Sequence, residues 1–271
     1  MLFIGTLNVL YFPSECKPHH FCYNQDMNKE ELIKHFRGTN VDIKNILKAQ
    51  EIAVKCLEHM KGFLKPGLDR DRIHEECERY MRSLGSQGWW IHDDPALILF
   101  GDLSTYSGPG LPDYRNKVIK DDDFVSIDVA PMIESGWGDL TRSFVLESGK
   151  IIDWKRTKNE EIREGMELEL QLHEGFVNFV EETTTFEDLH RFTQDFLERH
   201  GYHNCDYHGN FGHTVENDAK ERITIDQGVK LSIAAYDKPL TFEPHICKNG
   251  GKYGIKHEDM YVFHEGKMRK L

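Results

Sequence analysis

The spacing of apolar residues changes from helical to strand-like twice along the chain, and this order limits the possible folds more than any other feature. Apolar residues recur at three- and four-residue steps between Val41 and Met60, which predicts one long helix. Asp69 is suited to cap a second helix, which Gly85 would end. Strand-like runs follow at residues 96–100, 124–129 and 142–146.

The same order of elements repeats in the second part of the chain. Thr157 and Glu160 form a candidate capping box, which predicts a helix that runs to about Glu182. A shorter helix over residues 186–200 would end at Gly201. Short strands are expected at residues 231–234, 240–243 and 260–263. Two such halves predict an α+β fold, with helices on one face of a mostly antiparallel sheet and a ligand cleft between the halves.

The charge balance limits the classes of partner. The 271 residues carry a net charge of −12 and contain no block of lysines or arginines. This argues against a phosphate-binding surface, so we expect no nucleic-acid partner. No apolar stretch approaches the roughly 18 residues that span a bilayer, so we expect no membrane partner either. Bound divalent cations would offset part of the acidic excess, although a solvated acidic surface explains most of it.

The cysteines and the first residues are less informative. Because no C-x-x-C pair and no secretory signal is visible, we expect free thiols and a cytoplasmic location. Cys16 and Cys22 flank His19 and His20, which leaves a small zinc site as an alternative, although the spacing matches no structural zinc pattern well. Residues 1–40 read as an N-terminal arm before a domain at residues 41–271. The six cysteines are Cys16, Cys22, Cys56, Cys77, Cys205 and Cys247.

Two aspartates flank a turn between strand-like runs and are the first candidates for chemistry. If the hairpin is centred between Ile133 and Glu134, Asp128 lies directly opposite Asp139. Their side chains then share one face, with Cβ atoms about 5 Å apart. Like charges at that distance destabilise a sheet unless a cation lies between them. Metal binding is one interpretation; the other is that Asp139 pairs with Arg142 or that both acids face water.

Three further residues complete a possible ligand set. His213 follows a glycine-containing segment, and a lone histidine of this kind is more often structural. Glu243 and Glu258 lie inside or at the start of apolar strands, where carboxylates are rare unless they are paired or bind a metal. Together with the aspartates, four carboxylates and one imidazole suit Mn²⁺, Co²⁺, Fe²⁺ or Zn²⁺ better than thiolate-binding ions.

Taken in order, these five residues resemble the metal ligands of the methionine aminopeptidase, prolidase, aminopeptidase P and creatinase superfamily, which has the pita-bread fold. Residues 126–144 look like that family's I-D-x-G/A…D-x-T-R-x-F hairpin, and residues 242–246 look like its F-x-x-E-P-G-I strand. Residues 254–266 look like its G-I-R-x-E-D-x-V-x-V-x-x-x-G segment, a form typical of the prolidase and aminopeptidase P branch. The resemblance covers about residues 41–266.

The resemblance implies a metallo-exopeptidase, an aminopeptidase or Xaa-Pro-type peptidase that holds two divalent cations and acts on peptides. Asp139 and Glu258 would bridge the two cations. Asp128 would complete one of them, and His213 with Glu243 would complete the other. Glu243 would accept a proton from water activated between the cations.

The sequence departs from the family at two substrate-binding histidines. One is absent from residues 107–114, and at the other position Lys220 stands seven residues after His213. His208, His245 and His257 could take their place, and Lys220 could donate to an oxyanion; each is also readily a surface residue. The missing histidines leave open a small non-peptide amide as substrate, and a non-catalytic scaffold is a further alternative. Residues 1–40 are too short for the N-terminal domain of the Xaa-Pro branch, so by size a methionine aminopeptidase also stays open. We also expect a possible homodimer.

Overall fold

The computed structural model describes residues 28–90, 94–108 and 113–271. The helices in these residues are α1 Lys29–His35, α2 Ile43–Phe63, α3 Arg70–Ser83, α4 Glu160–Phe179, α5 Phe186–Arg199 and α6 Ile233–Tyr236. The first strands are β1 Gly88–Trp89, β2 Ala96–Phe100, β3 Asp123–Val129, β4 Pro131–Ile133, β5 Gly136–Trp137, β6 Leu140–Glu147 and β7 Lys150–Ile152. The later strands are β8 Tyr202–Asn204, β9 Leu240–Phe242, β10 His245–Lys248, β11 Gly254–Lys256, β12 Asp259–His264 and β13 Lys267–Lys270.

The two predicted halves are present, and each packs a pair of helices on antiparallel strands. In the first half, α2 and α3 cover a sheet of order β2–β3–β6–β7 and the small sheet β1–β4–β5. In the second half, α4 and α5 lie on the sheet β11–β10–β8, beside the sheet β13–β12–β9. Every pairing between named strands of the described residues is antiparallel. This confirms the predicted α+β fold.

Each half has its own apolar core, and a third cluster joins them. The core of the first half lies between α2, α3 and the β3–β6 sheet, and the core of the second half lies around α4 and α5. In the third cluster, the fully buried Trp137 of β5 packs with Met260 and Val262 of β12 and with Leu32 of α1. Burying a large apolar side chain contributes about 1.5–3 kcal/mol, so this cluster holds the halves in a fixed relation.

The helix predictions are confirmed with two corrections, both in α4. Asp69 caps α3 by accepting a hydrogen bond from the backbone of Arg72, and Gly201 follows α5 with a φ of 75°. The predicted capping box at Thr157 is wrong. Asn159 caps α4, because the Thr157 hydroxyl instead donates to a carboxylate oxygen of Glu147 at 2.5 Å. The helix also ends at Phe179, three residues before the predicted end.

Two other expectations differ from the structure. Residues 233–236 form the short helix α6 instead of a strand, because Ser232 accepts a hydrogen bond from the backbone of Ala235 and caps a helical turn. Cys205 and Cys247 are joined as a disulfide where free thiols were expected, whereas the buried Cys56 and Cys77 are free. In the described residues, no helix combines the length and apolar character that crossing a membrane requires.

The N-terminal predictions fall mostly outside the described residues. These include the zinc alternative at Cys16, His19, His20 and Cys22. Helix α1 lies within the stretch read as an arm. Leu32 of α1 and Phe36, the residue after it, are buried in the cluster that joins the halves.

Candidate metal centre

The first half supplies two of the five candidate ligands from neighbouring strands. Asp128 lies in β3 directly opposite Thr141 of β6. The predicted register is therefore wrong by two residues, because Glu134 adopts a φ of 52° and the hairpin turns one position later, between Ile133 and Gly136. An even shift leaves every side chain on its own face. Asp128 and Asp139 are thus diagonal neighbours, and their carboxylates still converge.

Helix α2 fixes the backbone of Asp139. The Asp139 amide donates to Oε1 of Gln50 at 2.9 Å, and the Gln50 amide group donates to the Asp139 carbonyl oxygen at 3.2 Å. Gly138 allows this approach, because a Cβ there would lie 2.6 Å from the Ala49 carbonyl carbon. The aspartate is held by a buried glutamine on a rigid helix.

The second half repeats the diagonal arrangement. The Thr241 amide donates to the His213 carbonyl oxygen at 2.7 Å, so these two residues are opposite and Glu243 lies diagonally from His213. His213 Nε2 is 3.3 Å from Glu243 Oε1. Gly212 has a φ of 139°, and a Cβ there would lie 2.3 Å from the Thr241 carbonyl oxygen. Only glycine lets these segments approach so closely.

Glu258 brings the two halves together. It lies between β11 and β12, and its backbone amide donates to the Thr141 carbonyl oxygen at 3.3 Å. The Thr141 hydroxyl donates to Glu258 Oε2 at 2.8 Å. Carboxylate oxygens of Asp128, Asp139 and Glu258 all lie within 4.8 Å of one another. His213 Nε2 is 3.7 Å from Asp139 Oδ2, so all five sequence-predicted residues meet in one place.

The electrostatics of the cluster fit a divalent-cation centre. Burial raises the pKa of Asp139 and of Glu258 well above the usual range, and the neighbouring carboxylates raise both further. Glu258 Oε1 is buried with no hydrogen-bond partner among the described residues. An unsatisfied buried acceptor costs about 1–3 kcal/mol, and clustered carboxylates repel one another. Divalent cations would relieve both, and this oxygen-rich donor set suits them.

Sequence reasoning missed Lys256, which lies among the acids. It stands where the G-I-R-x-E-D motif has arginine, and its buried ammonium lies 2.6 Å from Asp128 Oδ2 and 2.9 Å from Glu243 Oε2. Burial opposes ionisation of Glu243, but Lys256 and His213 outweigh it and lower the pKa of that carboxyl. The sequence did offer one sign of this role, because Lys256 lies two residues before Glu258 in the same motif.

Comparison with known families agrees with this geometry. The sequence model of metallopeptidase family M24 matches residues 44–265, which is most of the chain. The chain belongs to metallopeptidase family M24. Members of this family are metallopeptidases, and the M24 match includes all five residues of the acidic cluster.

Individual relatives of the M24 chain are distant. An uncharacterized peptidase of Staphylococcus epidermidis is 21% identical over 87% of this chain and 65% of its own length. The X-Pro aminopeptidase structure from Thermotoga maritima superimposes with a TM-score of 0.71 at 20% identity, over 89% of this chain and 64% of that one. The structure of the prolidase from Pyrococcus furiosus superimposes with a TM-score of 0.68 at 23% identity, over 89% of this chain and 67% of that one. The chain thus spans about two thirds of these proteins, and the structural matches establish the pita-bread fold.

A cavity of about 130 Å³ opens beside the cluster of five candidate ligands. Polar side chains that line it are Glu243, His245, Lys256, Asp206 and Asn210. Leucines from β2 and residues 106–108 complete its wall. A larger groove of about 1100 Å³ lies under α2 and α4, and none of the five clustered residues lines it.

The predicted substitutes for the missing histidines lie in different places. His245 is buried beside the cavity, and its Nε2 donates to the Ser104 carbonyl oxygen at 2.8 Å. Burial, together with Lys256, lowers its pKa to about 4, so the ring is neutral near pH 7. His208 and Lys220 are exposed, and His257 is bonded to Asp259 at 3.0 Å in the large groove.

Two tryptophans pack on His213 of the five-residue cluster, and an arginine lies over one of them. The Trp90 ring stacks on Trp137 at 3.7 Å and on the His213 ring at 4.8 Å, measured between ring centroids. The Arg222 guanidinium lies 5.5 Å from the Trp90 ring centroid. Its charge acts to lower the pKa of Asp139 and Glu243, although burial outweighs this effect at Asp139. Nothing in the motifs pointed to Arg222 or Trp90.

Proposed function

We propose that this M24 chain is a dinuclear metal-dependent aminopeptidase or Xaa-Pro-type peptidase that hydrolyses a peptide bond near the amino terminus. The observation that carries the proposal is the convergence of the five residues, with one buried oxygen of Glu258 left without a protein partner. Asp139 and Glu258 would be shared between two cations. Asp128 would serve one cation, and His213 with Glu243 the other.

The bound cations would supply Lewis acidity and a source of hydroxide near neutral pH. The chain's own residues would handle protons and orientation. Glu243 has a lowered pKa, so it is ionised near neutrality and able to accept the proton of attacking water. Lys256 holds one oxygen each of Asp128 and Glu243, which leaves the other oxygen of each for a cation. Positioned proton transfer of this kind is typically worth about 10²–10⁴-fold in rate.

The nature of the substrate rests on the relatives and the cavity. Prolidases and X-Pro aminopeptidases share the fold, and the C-terminal motif has the form typical of that branch. Asp206 lines the same cavity as Glu243 and is an acid suited to face a substrate's free amino group. Mn²⁺ or Co²⁺ are the cations we favour, because the donor set is rich in oxygen. A cytoplasmic location and a homodimer stay predictions.

The test is an activity profile of protein loaded with Mn²⁺ or Co²⁺. Xaa-Pro dipeptides, longer Xaa-Pro peptides and peptides that begin with methionine would be compared, with Glu243→Gln as the inactive control. Release of the first residue or of proline, lost in the control, supports the proposal. Two bound ions without turnover of any peptide would contradict it.

One observation favours a second candidate, hydrolysis of a small non-peptide amide. The cavity volume of about 130 Å³ is below the roughly 300–1,000 Å³ of common ligand pockets. Small amides tested beside the peptides would separate the two. Turnover of a small amide but of no peptide would favour this candidate.

A further inference from the structure

The sequence contains His-x-Cys twice, and the fold places the two copies side by side. The first is His203-Asn204-Cys205, and the second is His245-Ile246-Cys247. In the β8–β10 pairing, Cys247 lies directly opposite His203, and the Cys205 amide donates to the His245 carbonyl oxygen. Residues that are opposite, or two apart, share a face of an antiparallel pair. The two thiols and His203 therefore project from one side of the sheet.

These side chains are close enough to bind one metal ion. The ligand atoms of His203, Cys205 and Cys247 all lie within 4.8 Å of one another. Tetrahedral zinc, with Zn–S bonds of about 2.3 Å, places its ligand atoms about 3.8 Å apart. His203 is exposed and Cys205 half-buried, so solvent reaches the group, while Cys247 is buried in β10.

A second contact orients the imidazole for this role. His203 Nδ1 lies 2.9 Å from the side-chain oxygen of Asn249, which can only accept a hydrogen bond. Nδ1 therefore carries the proton, and Nε2 keeps its lone pair. A histidine that binds a metal commonly donates its other ring N–H to an oxygen in this way, which fixes the tautomer and the ring.

We propose that His203, Cys205 and Cys247 bind one Zn²⁺ ion when the disulfide is reduced, at a site separate from the carboxylate cluster. A dithiol reductant supplies two electrons and two protons to the Cys205–Cys247 bond and is itself oxidised to a disulfide. Zn²⁺ then displaces the protons of the two thiols. Sulfur and nitrogen ligands select zinc over the oxygen-preferring Mn²⁺, so the two sites differ in the metal they take. A water molecule would fill the fourth position.

The site adjoins the cavity beside the carboxylate cluster. Asp206 follows Cys205 directly, and His245 lies two residues before Cys247; both line that cavity. Either the disulfide or the zinc ion would connect the segment that contains Asp206 to the strand that contains His245. In the reduced, metal-free protein, these two segments are connected by the β8–β10 strand pairing alone.

Cobalt is the probe for this site, because thiolate ligands give Co²⁺ a charge-transfer absorption that oxygen ligands do not. The protein is reduced with excess dithiol, its thiols are counted, and after anaerobic removal of reductant it is titrated with Co²⁺ and then Zn²⁺. We expect the thiolate band to reach its maximum at one Co²⁺ ion per chain. Added Zn²⁺ should abolish the band, and Cys205→Ser and Cys247→Ser should lack it. Asn249→Ala should weaken zinc binding about 10–100-fold, as loss of an outer hydrogen bond to a ligand does.

The matched control is Cys56→Ala, which removes a buried thiol of the first half and should keep the full band. Circular dichroism of each variant is also recorded, so that loss of the band through unfolding is distinguished from loss of a ligand. The proposal is overturned if the reduced wild type shows no band, or if the band survives in both serine variants and so arises from other cysteines. Resistance of the disulfide to excess dithiol would also overturn it.

Discussion

The ammonium of Lys256 lies 2.6 Å from a carboxylate oxygen of Asp128, in the middle of the acidic cluster. The same nitrogen is 2.9 Å from Glu243, so one lysine connects the candidate ligand pair of the first half with that of the second. Its pKa is raised well above the usual range, because the carboxylates outweigh the cost of burial. Lys256 therefore carries a positive charge in the metal-free protein.

Replacing this charge should destabilise the metal-free protein. Lys256→Met leaves Asp128 and Glu243 buried without their cation, a change that typically costs about 3–5 kcal/mol. We expect that loss in urea unfolding with a chelator present, and a smaller loss with Mn²⁺ added. Lys248→Met removes an exposed ion pair with Glu164 and should change little. Equal stability of Lys256→Met and wild type under chelation would show that the lysine does not neutralise the cluster.

The proposed proton acceptor can be tested without changing its shape. Glu243→Gln should lower kcat about 10²–10⁴-fold, the range typical of general acid–base catalysis. Glu164→Gln, at an exposed glutamate of α4, should leave the rate unchanged. Steady-state kinetics and metal content would be measured together. A variant that retains both full rate and full metal content would exclude Glu243 as the acceptor.

Arg222 and Lys220 lie on one loop and make a matched pair. Both side chains are exposed, but Arg222 is stacked over Trp90 and adds positive potential at Glu243 and Asp139. We expect Arg222→Ala to lower kcat/KM about tenfold, or about 1.4 kcal/mol of transition-state stabilisation, and Lys220→Ala to have no effect. A larger loss of kcat/KM in Lys220→Ala than in Arg222→Ala would instead support Lys220 as the donor to an oxyanion.

Glu169 of α4 predicts an unusual dependence of stability on pH. Both of its carboxylate oxygens are buried without a hydrogen-bond partner in the described residues, and burial raises its pKa well above 4.5. As pH rises through 4.5, the unfolded chain releases this proton first, so the folded state loses stability above that pH. Glu169→Met should therefore be about 1–3 kcal/mol more stable than wild type at pH 7. Near pH 4 this pH-dependent part of the gain should vanish.

The control for this prediction is Glu167→Met on the exposed face of the same helix, which should not change the pH profile. Urea unfolding at several pH values is the measurement. A less stable Glu169→Met at pH 7 would mean that the carboxylate is ionised and paired in the folded protein.

The sequence predicted the order of elements and the five clustered residues because both depend on local signals. Apolar spacing identified α2, candidate capping and stop residues identified α3 to α5, and the motifs contained the five clustered residues. The hairpin register was missed, because it depends on Glu134 taking a positive φ, which is uncommon for that residue type. The prediction that Asp128 and Asp139 lie on the same face was still correct, because a shift of two residues keeps every side chain on its own face of the sheet.

Contacts between distant segments were beyond sequence reasoning. The Cys205–Cys247 pairing follows from β8 lying beside β10, and irregular spacing along the chain gives no sign of it. Arg222 reaches the cluster by stacking on Trp90, which is 132 positions away in the sequence. The capping box at Thr157 failed because Glu147, ten residues earlier, accepts a hydrogen bond from the threonine hydroxyl.

The most direct test of the account is the number of Mn²⁺ ions bound per chain, measured by elemental analysis and calorimetry on wild type and on Asp139→Asn. Asp139 is proposed to be shared by both cations, so the account predicts two ions in the wild type and weakened binding of both in the variant. Peptide hydrolysis should fall and return with metal removal and replacement. A chain that binds no divalent cation at the cluster, or that cleaves peptides equally well under chelation, would contradict it.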